Sequence, residues 1–211
     1  VKKLGEGLKQ VSNDAQGAWL DAAALAPAAR AQVDLVRAQF VRDSARADRP
    51  PRRLIAFDGH PGNFLVRDDG RAVLVDLEKA RYSHPPLDLA HATLYTSTTW
   101  DLDCYAELDV AEVRLFYAHW QAHCDAGTAS QPWFVPLRAA MWLWSVTWCA
   151  KWRVLSPRQA KAQADGEDWS REHSSEALIA HVRDRVDCYL AQPAIERVVH
   201  ELDELAREFG R

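Results

Sequence analysis

LIAFDGHPGNFLVRDDGRAVLVDLEKARYSHPPLDLAH, running from Leu54 to His91, gathers spaced carboxylates and an amide into a strand, a loop and a hairpin. Two short apolar runs, Asn63 to Arg67 and Arg71 to Val75, flank Asp68-Asp69-Gly70, a turn signal that predicts a β-hairpin. Asp58 precedes the first run and Asp76 ends the second. Strands this short fix where their ends point, so Asp58, Asn63 and Asp76 are expected to converge at one edge of the hairpin. Two acidic groups and one amide oxygen suit a hard cation such as Mg2+, with Asp58 left free to accept a proton. Taken singly, Asp and Asn beside Gly and Pro are ordinary turn formers.

The bulk composition narrows the function classes. With 211 residues, 48% hydrophobic and 27% charged, the chain is long enough for one substantial core or two packed subdomains. The net charge of −4, from 26 basic and 30 acidic residues, argues against a general nucleic-acid binder, which needs a basic surplus against phosphates. A mildly acidic surface suits a cationic small substrate instead. Cys104, Cys124, Cys149 and Cys188 are widely spread with no Cys-x-x-Cys spacing, so neither a zinc site nor a disulfide framework is expected. Reduced thiols, no apolar run of membrane-spanning length and no signal-peptide pattern together predict a cytoplasmic protein without a membrane partner.

Three linked motifs, in order, carry a resemblance. The spacing Asp58-x-x-x-x-Asn63, then Val75-Asp76-Leu77-Glu78-Lys79-Ala80, then Pro86-Leu87-Asp88-Leu89-Ala90, resembles the aminoglycoside phosphotransferase and choline kinase family of protein-kinase-like enzymes. The family signature is commonly His-Gly-Asp-Leu-His-Pro-Gly-Asn, followed by a hydrophobic strand and a metal-binding Asp. Asp58, His60, Pro61, Gly62 and Asn63 match it, while Ala56 and Phe57 stand where His and Gly are usual and Gly59 where Leu is usual. The resemblance implies that Asp58 is the catalytic base facing a substrate hydroxyl, and that Asn63 and Asp76 hold Mg2+ on the phosphates of ATP or GTP. Phosphoryl transfer asks the protein chiefly for an oriented nucleophile and for cations that neutralise phosphate oxygens, so this division of roles is physically sound. Pro61 and Gly62 shape the loop by fixing one φ angle and freeing the next. The family's His at the place of Ala56 is held to brace the loop through hydrogen bonds that alanine does not make.

The fold implied is a helix-rich α+β domain with a small β-hairpin that carries the catalytic loop, equivalent to the C-terminal lobe of a kinase-like phosphotransferase. In that frame residues 1–53 are a helical lead-in, 54–91 the catalytic and metal-binding segment, and 92–211 a helical substrate subdomain. The family's N-terminal lobe, with its nucleotide-covering loop and phosphate-gripping Lys, is expected to lie outside this chain, which starts at Val1 and has Met141 as its only methionine. Leu4-Gly5-Glu6-Gly7 reads as a helix border, because no Ala-x-Lys strand follows.

Along the rest of the chain, residues 8 to 24 read as partly helical, broken by Asn13, Asp14 and Gly17, and Pro27 to Ala47 as one amphipathic helix. Arg49 to Arg53 reads as a solvated linker feeding a strand over Leu54 to Phe57. Asp88 reads as an acid at a helix start after Pro85-Pro86, and Glu78 and Lys79 as solvated charges or, less simply, as contacts to metal or nucleotide. A helix is expected over Pro86 to Thr96, a loop over Thr96 to Thr99, and a helix over Ala111 to Cys124 on which His119 and His123 are surface residues. Asp101, Asp103, Glu107 and Asp109 are candidates for binding a cationic acceptor, or simply helix N-terminal acids. Gln131 to Leu155 reads as a helix whose Trp144, Trp148 and Trp152 form a packed ridge, with Arg138, Lys151 and Arg153 on its wet side. Ser156-Pro157 ends it, Ala164 to Asp168 is a polar break, and helices over Ser175 to Leu190 and Ala194 to Phe209 close the chain.

Two functions of different class fit. One is ATP- or GTP-dependent transfer of a γ-phosphoryl group to the hydroxyl of a small aminoglycoside-, choline- or sugar-like molecule. The other is a non-catalytic, kinase-like binding or regulatory module, suggested by Ala56-Phe57.

Overall fold

A computed structural model describes residues 14–125, 127–156 and 176–210 of the chain. Leu4 to Gly7 and Ala164 to Asp168 lie outside them. In order the elements are α1 (Asp14–Ala22), α2 (Pro27–Ser44), β1 (Arg53–Ile55), a 3-10 turn (Pro61–Asn63), β2 (Phe64–Val66), β3 (Ala72–Leu74) and β4 (Arg81–Ser83). Then follow α3 (Pro86–Thr93), α4 (Tyr95–Thr98), α5 (Val110–His123), α6 (Gly127–Ser130), a 3-10 turn (Gln131–Trp133), α7 (Phe134–Leu155), α8 (Glu176–Tyr189) and α9 (Gln192–Phe209). The class is the expected one: mostly helical α+β.

The chain forms two compact units. The first comprises the described residues of Val1–Leu35 and Leu143–Arg197. Leu20, Val33, Val146, Val182, Val186 and Ile195 are buried in it, and Arg153 bonds Asp187 at 2.8 Å. The second unit, Val36–Trp142 and Val198–Arg211, holds all four strands. Its buried side chains include Phe40, Leu87, Leu94, Val113, Tyr117 and Trp133. Every candidate site residue lies in this second unit.

The hairpin forms as read. β2 and β3 pair antiparallel with Leu65 opposite Val73, and Gly70 takes a φ of +80° at the turn, a left-handed conformation that glycine adopts at little cost. A second antiparallel pair, β1 with β4, has no counterpart in the sequence reading; it sets Leu54 opposite Tyr82 and closes the segment from Ala56 to Ala80 into one loop. The expected strand over Leu54 to Phe57 is therefore shorter, and Ala56 and Phe57 belong to the loop.

Several other expectations need correction. α1 starts at Asp14 and runs through Gly17, while Asn13 lies outside the described residues; Thr96-Ser97-Thr98 lies in the helical turn α4, and Thr99, just after it, donates its Oγ1 hydroxyl to Tyr95 O at 2.6 Å. Hydroxyls that bond backbone carbonyls fit a helical turn as well as a loop. α9 starts at Gln192, with Pro193 inside its first turn, where proline lacks only an N–H that the helix does not use. Trp133 and Trp142 are fully buried, but Trp144, Trp148 and Trp152 are only half-buried, so the ridge is less of a core than expected.

Arg138 is the largest departure. Periodicity puts it on the wet side, yet its side chain is 0% exposed, and Nε donates to Glu201 Oε1 at 2.6 Å. Its other donors reach Thr93 Oγ1 at 2.7 Å, Thr93 O at 3.0 Å and Tyr117 Oη at 3.2 Å. A guanidinium is tolerated inside because a carboxylate and several acceptors replace the lost water. Thr93 is the last residue of α3, so Arg138 satisfies a carbonyl that the helix leaves open at its C-terminus.

Candidate active site

β1 ends at Ile55, and the chain enters the loop through Ala56 and Phe57. Their two N–H groups donate to one side chain: Ala56 to Asp88 Oδ2 and Phe57 to Asp88 Oδ1, both at 2.8 Å. Asp88 sits in the first turn of α3, as the sequence suggested, but its carboxylate is spent on the loop. Burial raises its pKa above the usual carboxylate range, the two N–H donors oppose that rise, and neighbouring Asp58 adds to it. Such a bidentate clamp braces the loop, the task expected of the histidine that is usual in the family where this chain has Ala56.

Phe57 follows with a φ of +61°, a left-handed conformation that costs a bulky residue about 1–2 kcal/mol. The family's usual glycine at this place meets no such cost. Here the ring lies under the Arg81 guanidinium, 3.9 Å from its centroid, a contact that offsets part of the strain.

Asp58 comes next, its side chain 13% exposed. Lys79 Nζ donates to Asp58 Oδ2 at 3.1 Å, which corrects the reading of Lys79 as a solvated charge. His91 Nδ1 lies 3.9 Å from Asp58 Oδ1. His91 projects from α3 one turn beyond Asp88. Its burial lowers its pKa to about 4; Asp58 opposes the fall, and His60 and Lys79 assist it.

The loop then turns through Pro61–Asn63. His60 caps the turn, its Nδ1 accepting from Gly62 N–H at 3.2 Å, and Pro61 stands at the first position. Gly62 leaves room for Asp101: a Cβ there would lie 2.6 Å from Asp101 Oδ2, so that side chain would have to shift. Asn63 is buried, and its Nδ2 donates to Asp58 O at 2.8 Å, which leaves Oδ1 as the acceptor it can offer a ligand. Val75 N–H donates to Asn63 O at 2.8 Å, so Asp76 follows directly on a residue paired with Asn63. Asp76 is exposed and has a φ of +54°.

The structure therefore ties Asp58 and Asn63 together directly, and Asp76 to them through the backbone of Val75. An amide oxygen and an exposed carboxylate are hard oxygen donors, the kind Mg2+ accepts while keeping several waters. Among the described residues no three His, Cys, Asp or Glu side chains converge as a metal cluster. Of the acidic acceptor candidates, Asp101 lies against the loop; Asp109 caps α5 by accepting from Glu112 N–H at 2.8 Å, and Glu107 accepts from Tyr105 Oη. His119 and His123 are exposed and stack at 4.4 Å. Sequence reading missed His91, although its helical spacing from Asp88 was there to be used.

A little-exposed carboxylate on a clamped loop, a lysine on one of its oxygens, and an amide and second carboxylate on the adjoining hairpin make up the candidate site. The chain belongs to the phosphotransferase enzyme family of aminoglycoside phosphotransferases and choline kinases, whose family model, APH, matches residues 3–125. No curated protein and no solved structure matches it significantly.

Proposed function

We propose that the full-length protein transfers the γ-phosphoryl group of ATP or GTP to the hydroxyl of a small molecule, with Asp58 as the base. The observation that carries this reading is the environment of Asp58: a little-exposed carboxylate whose backbone carbonyl is bonded by Asn63 and whose Oδ2 is paired with Lys79. A proton acceptor must hold its orientation while the hydroxyl approaches, and the Asp88 clamp on the two preceding residues supplies that rigidity.

In the reaction proposed, the acceptor hydroxyl donates its proton to Asp58 as its oxygen bonds the γ-phosphorus, and the bond from that phosphorus to the β–γ bridging oxygen breaks. Lys79, now paired with Asp58, is the cation that would leave it for phosphate oxygens, freeing the base as charge builds on the phosphoryl group. Asn63 Oδ1 and the Asp76 carboxylate are the atoms that would hold Mg2+. When bound, it neutralises phosphate charge. Asp101, against Gly62, is the acidic side chain offered to a cationic acceptor of aminoglycoside or choline type. Cys104, Cys124, Cys149 and Cys188 form no disulfide, which suits a reducing compartment such as the cytoplasm, and no described helix is long and apolar enough to cross a membrane.

The test is calorimetric titration of the full-length protein with Mg2+ and ATP, beside Asp76→Ala and Asp58→Asn. Mg2+-dependent binding lost in Asp76→Ala, with turnover of hydroxylated amines lost in Asp58→Asn, supports the enzyme. Absence of binding by the folded protein favours the non-catalytic module.

A further inference from the structure

α3 sends two side chains, one turn apart, to the same loop. Asp88 binds the backbone of the two residues before Asp58, and His91 faces the Asp58 carboxylate itself. The His91 side chain is 8% exposed, and its ring meets that of His60 edge-on at 6.0 Å and 73°. The two oxygens of Asp58 therefore face different kinds of partner. Oδ2 has Lys79, a charge on a flexible stem, 35% exposed and able to follow phosphate. Oδ1 has an imidazole fixed in a helix that Asp88 ties to the loop at two points.

We propose that His91 is a positioning residue for the base: its Nδ1–H donates to Asp58 Oδ1 and sets the rotation of the carboxylate, so that Oδ2 faces the acceptor hydroxyl when Lys79 turns to phosphate. This rests on the reading of Asp58 as the base. At 3.9 Å the pair is longer than a direct hydrogen bond, and rotation of the carboxylate shortens it; such contacts commonly tighten when substrate binds. A neutral donor suits the task, because it orients the carboxylate without the added positive charge that makes a base weaker. Burial keeps the imidazole neutral at physiological pH. The role differs from that of Asp88, which holds backbone and leaves the carboxylate free to rotate.

Two measurements on the full-length protein test this. The first is 15N NMR of labelled histidine, beside Asp58→Asn and Asp76→Ala. The His91 Nδ1 is expected to carry the proton, and its resonance to move in Asp58→Asn and hold in Asp76→Ala. An unprotonated Nδ1, or a resonance indifferent to Asp58→Asn, overturns the proposal whether or not the protein turns over, so its failure is distinct from failure of the phosphotransferase reading. The second is phosphate release from MgATP with water as acceptor. His91→Leu is expected to lower kcat at least tenfold with KM for MgATP within twofold. In His91→Asn the amide nitrogen falls close to where Nδ1 stood, so at least a third of wild-type kcat is expected. Equal loss in both variants, or loss appearing in KM, overturns the proposal. Should His91→Leu melt below the assay temperature, the His91→Asn value alone decides, against the same one-third threshold.

Discussion

Acidification is expected to destabilise the second unit through His91 before most carboxylates titrate. The imidazole has an ordinary pKa of 6.5 and is lowered to about 4 in the folded protein, chiefly by burial, with Asp58 opposing and His60 and Lys79 assisting. Between those values the unfolded chain binds a proton that the folded chain refuses, so stability is full above 6.5 and falls as pH falls towards 4. The linkage comes to about 1.4 kcal/mol lost by pH 5.5 and about 3 kcal/mol by pH 4. Against a typical domain stability of about 5–15 kcal/mol, that is enough to shift a denaturation midpoint visibly. The assay is urea denaturation of wild type and His91→Asn at several pH values from 7.5 to 4.5. Because asparagine does not titrate, the difference between the two proteins isolates His91 from the carboxylates and from His84, whose pKa burial also lowers. Wild type is expected to lose stability faster on acidification, so the two curves converge. Parallel curves would refute the burial of a neutral imidazole beside Asp58.

Other outcomes follow from single contacts. Asp88→Ala leaves the Ala56 and Phe57 N–H groups without their acceptor and is expected to cost about 3–4 kcal/mol in urea melts; Asp88→Asn, which keeps one acceptor, costs less. Arg138→Ala strands Glu201 inside the protein and is expected to cost about 3–5 kcal/mol, whereas Arg138→Met with Glu201→Leu recovers much of that in the same assay. At Phe57, substitution by Gly removes the left-handed strain along with the Arg81 contact, while Ala keeps the strain and loses the contact. The expected order of thermal stability is therefore Gly above Ala by about 1 kcal/mol, with Phe57 close to Gly.

What the sequence disclosed was local. The turn Asp68-Asp69-Gly70 and the five-residue step from Asp58 to Asn63 are encoded within a few residues; the turn forms as read, and Asn63 bonds the Asp58 carbonyl. β4 is invisible in the sequence because Arg81, Tyr82 and Ser83 show no buried face; their only strand-like feature is a partner, β1, far back in the chain. Asp88 belongs to its helix start as expected, yet capping preference says nothing about which N–H groups its carboxylate will meet. Arg138 is misplaced for the same reason. Periodicity puts a guanidinium outside unless acceptors are known to wait inside, and these come from Glu201, Tyr117 and Thr93, on three other helices.

The last two misses concern one element. α3 has eight residues and too few turns to hold itself in water. Asp88 ties its first turn to the loop before Asp58, and Arg138 bonds its final carbonyl and hydroxyl. A helix fixed at both ends can hold His91 at a set distance from Asp58, where one held by its apolar face alone could slide. The sequence marks a helix from Pro86 on, and Leu87, Leu89 and Ala90 are buried in it. The polar side chains that fix its position each depend on a partner distant in sequence, so periodicity can show the helix but not what anchors it beside the candidate base.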